Sequence, residues 1–436
     1  MSYFCIHQVS TRYLVFILSF FFISFGCLYA SNDSLPTDSL ANEEIRVEAK
    51  EASGLAVFPT VWLPGKIHRI GIDYRPEYIL KTNSFVKGEN PAYKPLDVAN
   101  SIHLKYSFLY KNNPLCDSGC KGVYQGIGLS YFNFGESEHL GNPIAFYLFQ
   151  GATIASFSPK VSLNYEWNFG LSMGWKPYNE ITNEQNTVIG SKVNAFMNLN
   201  FYLKWALSPQ VEMTSGLSVS HFSNGNTQYP NRGLNTAGLN VGLIYNLNRE
   251  NREKQGVMSG RLYPPFKKHV SYDAVAFGAW RKQGISVGEM RVALPDAYAV
   301  AGLNFAPMYN FFYNFRAGVS LDVVYDASAN IRTADYIMGS MPEFYKPGVE
   351  KQSSVGLSAR GELVMPFFRV NFGLGANLYG PGDMRGTYQV LALKMEVTRS
   401  SFIHIGYNLK DFHLPNFLML GIGYRFHDKF PDWHRK

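Results

Sequence analysis

A histidine, a serine and an asparagine stand in one stretch, Val211–Asn235 (VEMTSGLSVSHFSNGNTQYPNRGLN), at spacings that suit ester hydrolysis. His221 and Ser223 are two residues apart, and Asn235 follows twelve residues after the serine. On a β-strand, residues i and i+2 share a face about 7 Å apart, and the next strand lies about 4.8 Å away. With Asn235 on that next strand, hydroxyl, imidazole and carboxamide fall into one hydrogen-bonded line. Ser223 would be the nucleophile and His221 its general base, while Asn235 would fix the imidazole tautomer through its carbonyl oxygen. The Asn224 side-chain amide and the Gly225 N–H are the nearest candidate donors for an oxyanion, and glycine permits the close backbone approach this needs.

A His-x-Ser pair alone is a weak signal, and the chain holds a second, His269-Val270-Ser271. Position separates the two. Val211, Met213, Leu217 and Val219 form an apolar parity that His221 and Ser223 continue, opposite Glu212, Thr214, Ser218 and Ser220. Ala237, Leu239, Val241, Leu243 and Tyr245 do the same for the following segment, with Asn235 on their parity. Three polar side chains on an apolar face cost free energy and call for a function. His269, Ser271 and Asp273 instead follow Pro264-Pro265, at the opposite end of a segment and on a face with fewer aromatics, and read as structural.

The elements that must position this line are strands. Of 436 residues, 46% are hydrophobic, 15% aromatic and only 17% charged, so a disordered chain is excluded. Four cysteines exclude a disulfide-dense scaffold. A mean hydropathy slightly below zero excludes a polytopic helical membrane protein. Abundant Tyr, Phe and Gly with few charges fit a transmembrane β-barrel, whose lipid-facing and lumen-facing residues alternate. Asn416–Phe426 shows this clearly: Leu418, Leu420, Ile422, Tyr424 and Phe426 oppose Gly421, Gly423 and Arg425.

Alternating segments recur near 68–80, 99–110, 121–134, 142–155, 160–175, 194–208, 210–223, 235–248, 269–281, 295–306, 311–326, 352–365, 367–379, 387–399, 401–410 and 416–426. No stretch after the leader reads as helical. The expected fold is all-β, one antiparallel transmembrane barrel of the outer-membrane type with about 14–16 strands, spanning 67–426. Connections after odd segments are mostly long and those after even ones mostly short, which puts the ends of odd strands, Ser223 included, on the extracellular side. The long basic connection 249–268 breaks that rule.

Arg12 before the apolar run Tyr13–Phe25 and the small residues ending at Ala30 predict a cleaved signal peptide, 1–30. A polar periplasmic arm (31–66) and a short tail (427–436) complete the expected organisation. Cys5 and Cys27 belong to the leader, leaving Cys116 and Cys120 (CDSGC) to close a small disulfide loop in an exported chain.

HFSNGNTQYPNRGLN, with the preceding NTVIGSKVNAF (Asn186–Phe196), resembles the lipid A 3-O-deacylase (PagL-like) family, whose longer members are called acyloxyacyl hydrolases. The resemblance covers residues 160–248. It implies an outer-membrane ester hydrolase that removes a fatty acyl chain from lipid A of lipopolysaccharide, with His221 and Ser223 as base and nucleophile. This sequence departs from the family in two ways. Asn235 stands where characterised members have a carboxylate, and the family's compact barrel has about half as many strands, leaving 250–426 without a role.

The Asn spacing instead resembles outer-membrane phospholipase A, a calcium-dependent dimer, through His221, Ser223, Asn224, Gly225 and Asn235. Residues 224–234 hold no acidic calcium cluster. A barrel without catalysis is the third reading. An outward-facing rim site meets lipid A in an intact outer leaflet, where Lys176, Lys192 and Arg232 would hold its phosphates; the net charge is +7. The expected partners are thus lipopolysaccharide and the outer membrane, with no nucleic acid. No metal or cofactor is expected, calcium entering only with the phospholipase reading.

Overall fold

The computed structural model describes residues 66–110, 121–247, 266–287, 290–312, 314–333, 343–365, 368–398, 400–411 and 414–429. The leader, the arm, Cys116, Cys120 and 430–436 of the tail lie outside the described residues.

Each segment read from the alternation contains a long antiparallel strand. The first eight are β1 (Lys66–Ile79), β2 (Val98–Tyr110), β3 (Lys121–Asn133), β4 (Gly141–Ser156), β5 (Val161–Trp175), β6 (Val193–Ala206), β7 (Val211–Ser223) and β8 (Leu234–Asn246). They pair in sequence order and close on themselves, β8 meeting β1 through Ile72↔Leu243 and Tyr74↔Val241. The second set begins with β9 (His269–Arg281), followed by a small hairpin, β10 (Gly284–Val287) and β11 (Met290–Ala293). Next come β12 (Tyr298–Phe312), β13 (Phe315–Asp326) and another small hairpin, β14 (Arg332–Thr333) with β15 (Phe344–Tyr345). The chain ends with β16 (Ser353–Val364), β17 (Phe368–Tyr379), β18 (Thr387–Glu396), β19 (Ser401–Lys410) and β20 (Leu414–Phe426). Here β20 closes against β9.

The strands therefore form two closed barrels of eight rather than one large barrel. Alternation reveals a strand but not its closing partner, which is where the two architectures differ. The long connection after β8, anomalous for one barrel, is the link between two.

Closure at eight has a physical consequence: the interior is just wide enough for side chains to fill it. In the first barrel Asp73 pairs with Arg75 at 2.9 Å and with Lys105 at 2.7 Å, and Lys105 also reaches Glu166. In the second, Asp273 and Glu362 share Arg316 and Lys394, and Arg425 adds a third cation to Asp273. The second His-x-Ser pair belongs to this network. Ser271 accepts hydrogen bonds from Asn310 and Arg316, while His269 lies against the Lys267 carbonyl and Asp428. Outside, Ile72, Leu104, Leu239 and Leu243 of the first barrel and Leu303 and Ile422 of the second are exposed, so the apolar parity faces outward. Arg316→Ala would remove a buried cation that two buried carboxylates share, leaving each with less compensation. It should destabilise the second barrel by about 3–5 kcal/mol, read as a lower urea midpoint in micelles.

Besides two 3₁₀ turns, Val349–Gln352 and Gly382–Met384, one α-helical turn, Ser84–Lys87, departs from the all-strand reading. Asn83 caps it by accepting from the Val86 N–H at 3.1 Å, and Gly88 ends it with φ +117°. The turn sits in the β1–β2 connection, which barrel closure brings beside the start of β8.

Candidate active site

The pairing of β7 with β8 sets His221 directly opposite Asn235, and β6 places Ala195 opposite Ser223 and Met197 opposite His221. Glu212, Thr214, Ser218 and Ser220 point into the lumen and are buried, so His221 and Ser223 share the outward parity. Between them Phe222 turns inward and packs with Phe132, Phe134, Trp175 and Phe196. This aromatic plug anchors the strand end that carries the site.

His221 Nδ1 lies 2.6 Å from Asn235 Oδ1. A second contact fixes the direction of that bond. Asn235 Nδ2 donates to Thr82 Oγ1 at 3.1 Å, and Thr82 Oγ1 in turn donates to the Leu80 carbonyl at 3.5 Å. With its nitrogen committed to Thr82, the carboxamide presents oxygen to the imidazole. In that orientation Nδ1 donates to Asn235 and Nε2 is left free to accept a proton. The Leu80 N–H also donates to the Asn235 carbonyl at 2.9 Å, tying β8 to the β1 end.

Ser223 is 7% exposed, and its Oγ accepts from the Gly225 N–H at 3.2 Å. No hydrogen bond joins Oγ to the imidazole, although both groups border one point. A methyl built on Gly233 would lie 3.2 Å from His221 Cε1 and 3.8 Å from Ser223 Cβ. That position needs glycine, because its φ is +70° and the methyl would also meet the Phe222 carbonyl at 2.9 Å. Catalytic hydrogen bonds of this kind are often loose before substrate binds and tighten in the complex.

Asn224 serves the turn itself. Its N–H donates to Asn231 Oδ1 and its Nδ2 to the Gln228 carbonyl, both at 3.0 Å, so the side-chain amide is engaged within the loop. Gly225 alone of the two candidate donors is directed at Ser223 Oγ. Lys176, Lys192 and Arg232 are all exposed on connections at this end of the barrel. The loop they border is held by backbone bonds from Arg232 to Thr187 and from Gly233 to Val188. Asn186 orients that partner segment, accepting from the Val188 N–H and donating to the carbonyls of His139 and Lys176.

Thr82 and Asn83, whose Nδ2 donates to the Gly233 carbonyl at 2.9 Å, are the functional neighbours that sequence reading misses. Their only signal is a polar Thr-Asn-Ser run after the first strand, and the β1–β8 closure alone makes it meaningful.

Family models match β3 through most of β8 in the first barrel and nearly all of the second. Residues 113–243 match the lipid A 3-O-deacylase (PagL) model, and 270–428 match the acyloxyacyl hydrolase C-terminal domain. The chain thus matches a lipid A 3-O-deacylase (PagL) domain in its first half and an acyloxyacyl hydrolase C-terminal domain in its second. The second barrel, without a role on sequence grounds, is similar to the C-terminal domain of acyloxyacyl hydrolases. Among solved structures, the outer membrane enzyme PagL is 14% identical, with a TM-score of 0.26 over 39% of this chain and 97% of that one. Neisserial surface protein A is 10% identical, with a TM-score of 0.28 over 42% of this chain and 99% of that one. No curated relative matches significantly.

Proposed function

We propose that this chain is an outer-membrane serine esterase that removes one fatty acyl chain from lipid A, using Ser223, His221 and Asn235. The observation that carries this reading is the 2.6 Å bond between His221 and Asn235, on the outer face beside a buried serine whose Oγ meets a backbone N–H. Ser223 Oγ attacks the acyl carbonyl carbon and passes its proton to His221 Nε2. The Gly225 N–H stabilises the oxyanion that forms. The tetrahedral intermediate then collapses, and His221 returns the proton to the departing sugar hydroxyl. Water, activated by the same imidazole, releases the fatty acid. Lys176, Lys192 and Arg232, exposed at this end of the barrel, would hold the phosphates of a lipid in the outer leaflet.

The test is expression in the outer membrane of a bacterium with simple lipid A, followed by mass spectra of that lipid A. Loss of one hydroxyacyl chain supports the proposal. Unchanged lipid A with released lyso-phospholipid would transfer the assignment to a phospholipase. The same purified protein in micelles should keep its rate in excess EDTA, since the proposed chemistry uses only protein groups. Activity restored only by added calcium would favour the phospholipase reading.

A further inference from the structure

The turn that follows the nucleophile is held from outside the barrel that carries it. Gly225 and Asn226 adopt consecutive left-handed conformations, φ +66° and +62°, a sharp reversal braced within its own loop by Asn231 Nδ2, which donates to Asn226 Oδ1 at 3.2 Å. The second barrel closes it. Asn226 Nδ2 donates to the Asn416 carbonyl of β20 at 3.0 Å, and the Lys282 N–H, just beyond β9, donates to the Asn226 carbonyl at 3.1 Å. Leu418 presses on the same turn: a methyl built on Gly225 would lie 3.2 Å from its Cδ1 and 3.3 Å from its Cβ. Leu418 is partly covered there, whereas Leu420 and Ile422 on the same outward parity are exposed. Further along the loop, the Tyr229 ring packs against Gly284, where a methyl would come within 2.6 Å of Cε2.

We propose that the second barrel is a positioning element of the esterase site, clamping Gly225 and Asn226 so that the Gly225 N–H stays aimed at Ser223 Oγ. The inference rests on the reading of Ser223 as nucleophile. A backbone donor contributes to catalysis only while its direction is fixed before the oxyanion forms, and a glycine flanked by a left-handed residue does not fix itself. The C-terminal domain acts through the turn without touching substrate, so its removal should lower turnover and leave affinity alone.

The experiment measures kcat and KM on purified lipid A in micelles with the full chain. Asn226→Gly keeps the left-handed backbone accessible while deleting the bond to Asn416 together with the one Asn231 donates within the loop; Leu418→Ala removes a contact of the second barrel alone, and Leu418→Met restores it. Leu303→Ala, on an exposed face of β12, is the control. Asn226→Gly and Leu418→Ala should each lower kcat about 5–50-fold with KM within about 2-fold, while Leu418→Met and Leu303→Ala stay near wild type. Folding is read from the heat-dependent gel shift of intact barrels. Should Asn226→Gly lose that shift, the Leu418 pair carries the comparison. Unchanged kcat in folded variants overturns the proposal, as does raised KM with kcat intact, which would make the second barrel a substrate-binding wall. A wild type without Ser223-dependent hydrolysis overturns the esterase reading and this one together; Ser223-dependent hydrolysis indifferent to Asn226 and Leu418 overturns only this one.

Discussion

Ser223→Ala should lower lipid A ester hydrolysis by at least about 10³-fold while leaving the barrel folded. The substitution removes one oxygen from a buried, small side chain, and the sole hydrogen bond it forfeits is the one accepted from Gly225. Packing around the site is unaffected, because Phe222 and its aromatic partners hold the strand end from the inside. What remains is catalysis by binding and by the Gly225 N–H, which in serine hydrolases leaves a residual rate far below the intact site. His221→Ala should cost a similar factor, and the double variant little more, since base and nucleophile act as one unit. Rates in micelles, with the gel shift confirming folded protein, check both. A Ser223→Ala enzyme retaining more than about a tenth of its rate would remove Ser223 from the mechanism.

Much of this was legible before the structure, and the division follows the range of the interactions. Period-two alternation is local, so all the long strands, the outward parity of His221 and Ser223 and the pairing partner Asn235 could be read along the chain. Closure is not local. Whether β8 returns to β1 or continues to β9 depends on the β1–β8 ladder, and the length and charge of 249–268 were its only trace in sequence. The same gap hid Thr82, about 150 residues from Asn235 in sequence yet hydrogen-bonded to it, and the contact of Gly225 with Leu418. Both join ends that only barrel closure, or the meeting of two barrels, brings together. The role of the Asn224 amide is hard to read for a different reason: a loop side chain near Ser223 is as able to stabilise its own turn as to face substrate, and here one of its two N–H groups bonds the Gln228 carbonyl.

The asparagine at position 235 sets up the sharpest quantitative expectation. A carboxamide in this role is hazardous, since its two ends look alike to the fold but opposite to the imidazole. With nitrogen toward Nδ1 it would select the tautomer that cannot accept the serine proton, a fault that costs about 10⁴-fold where it has been introduced into serine proteases. Thr82 biases the choice by accepting from Asn235 Nδ2 while its own hydroxyl donates to the Leu80 carbonyl. Asn235→Ala, which abolishes orientation altogether, should lower kcat about 10²–10³-fold. Asn235→Asp should raise it about 10-fold, because a carboxylate also stabilises the imidazolium and the Thr82 hydroxyl can turn from the Leu80 carbonyl to donate to it. Thr82→Val then separates the two cases. Beside Asn235 it deletes the contact that aims the amide and should cost about 10-fold, the worth of one hydrogen bond. In the Asn235→Asp background, where both oxygens serve equally, it should cost less than about 2-fold. Four initial rates complete the cycle. Equal losses in both backgrounds would mean that Thr82 merely packs the β1–β2 turn, and an Asn235→Asp enzyme slower than Asn235→Ala would mean that residue 235 does not orient the base at all.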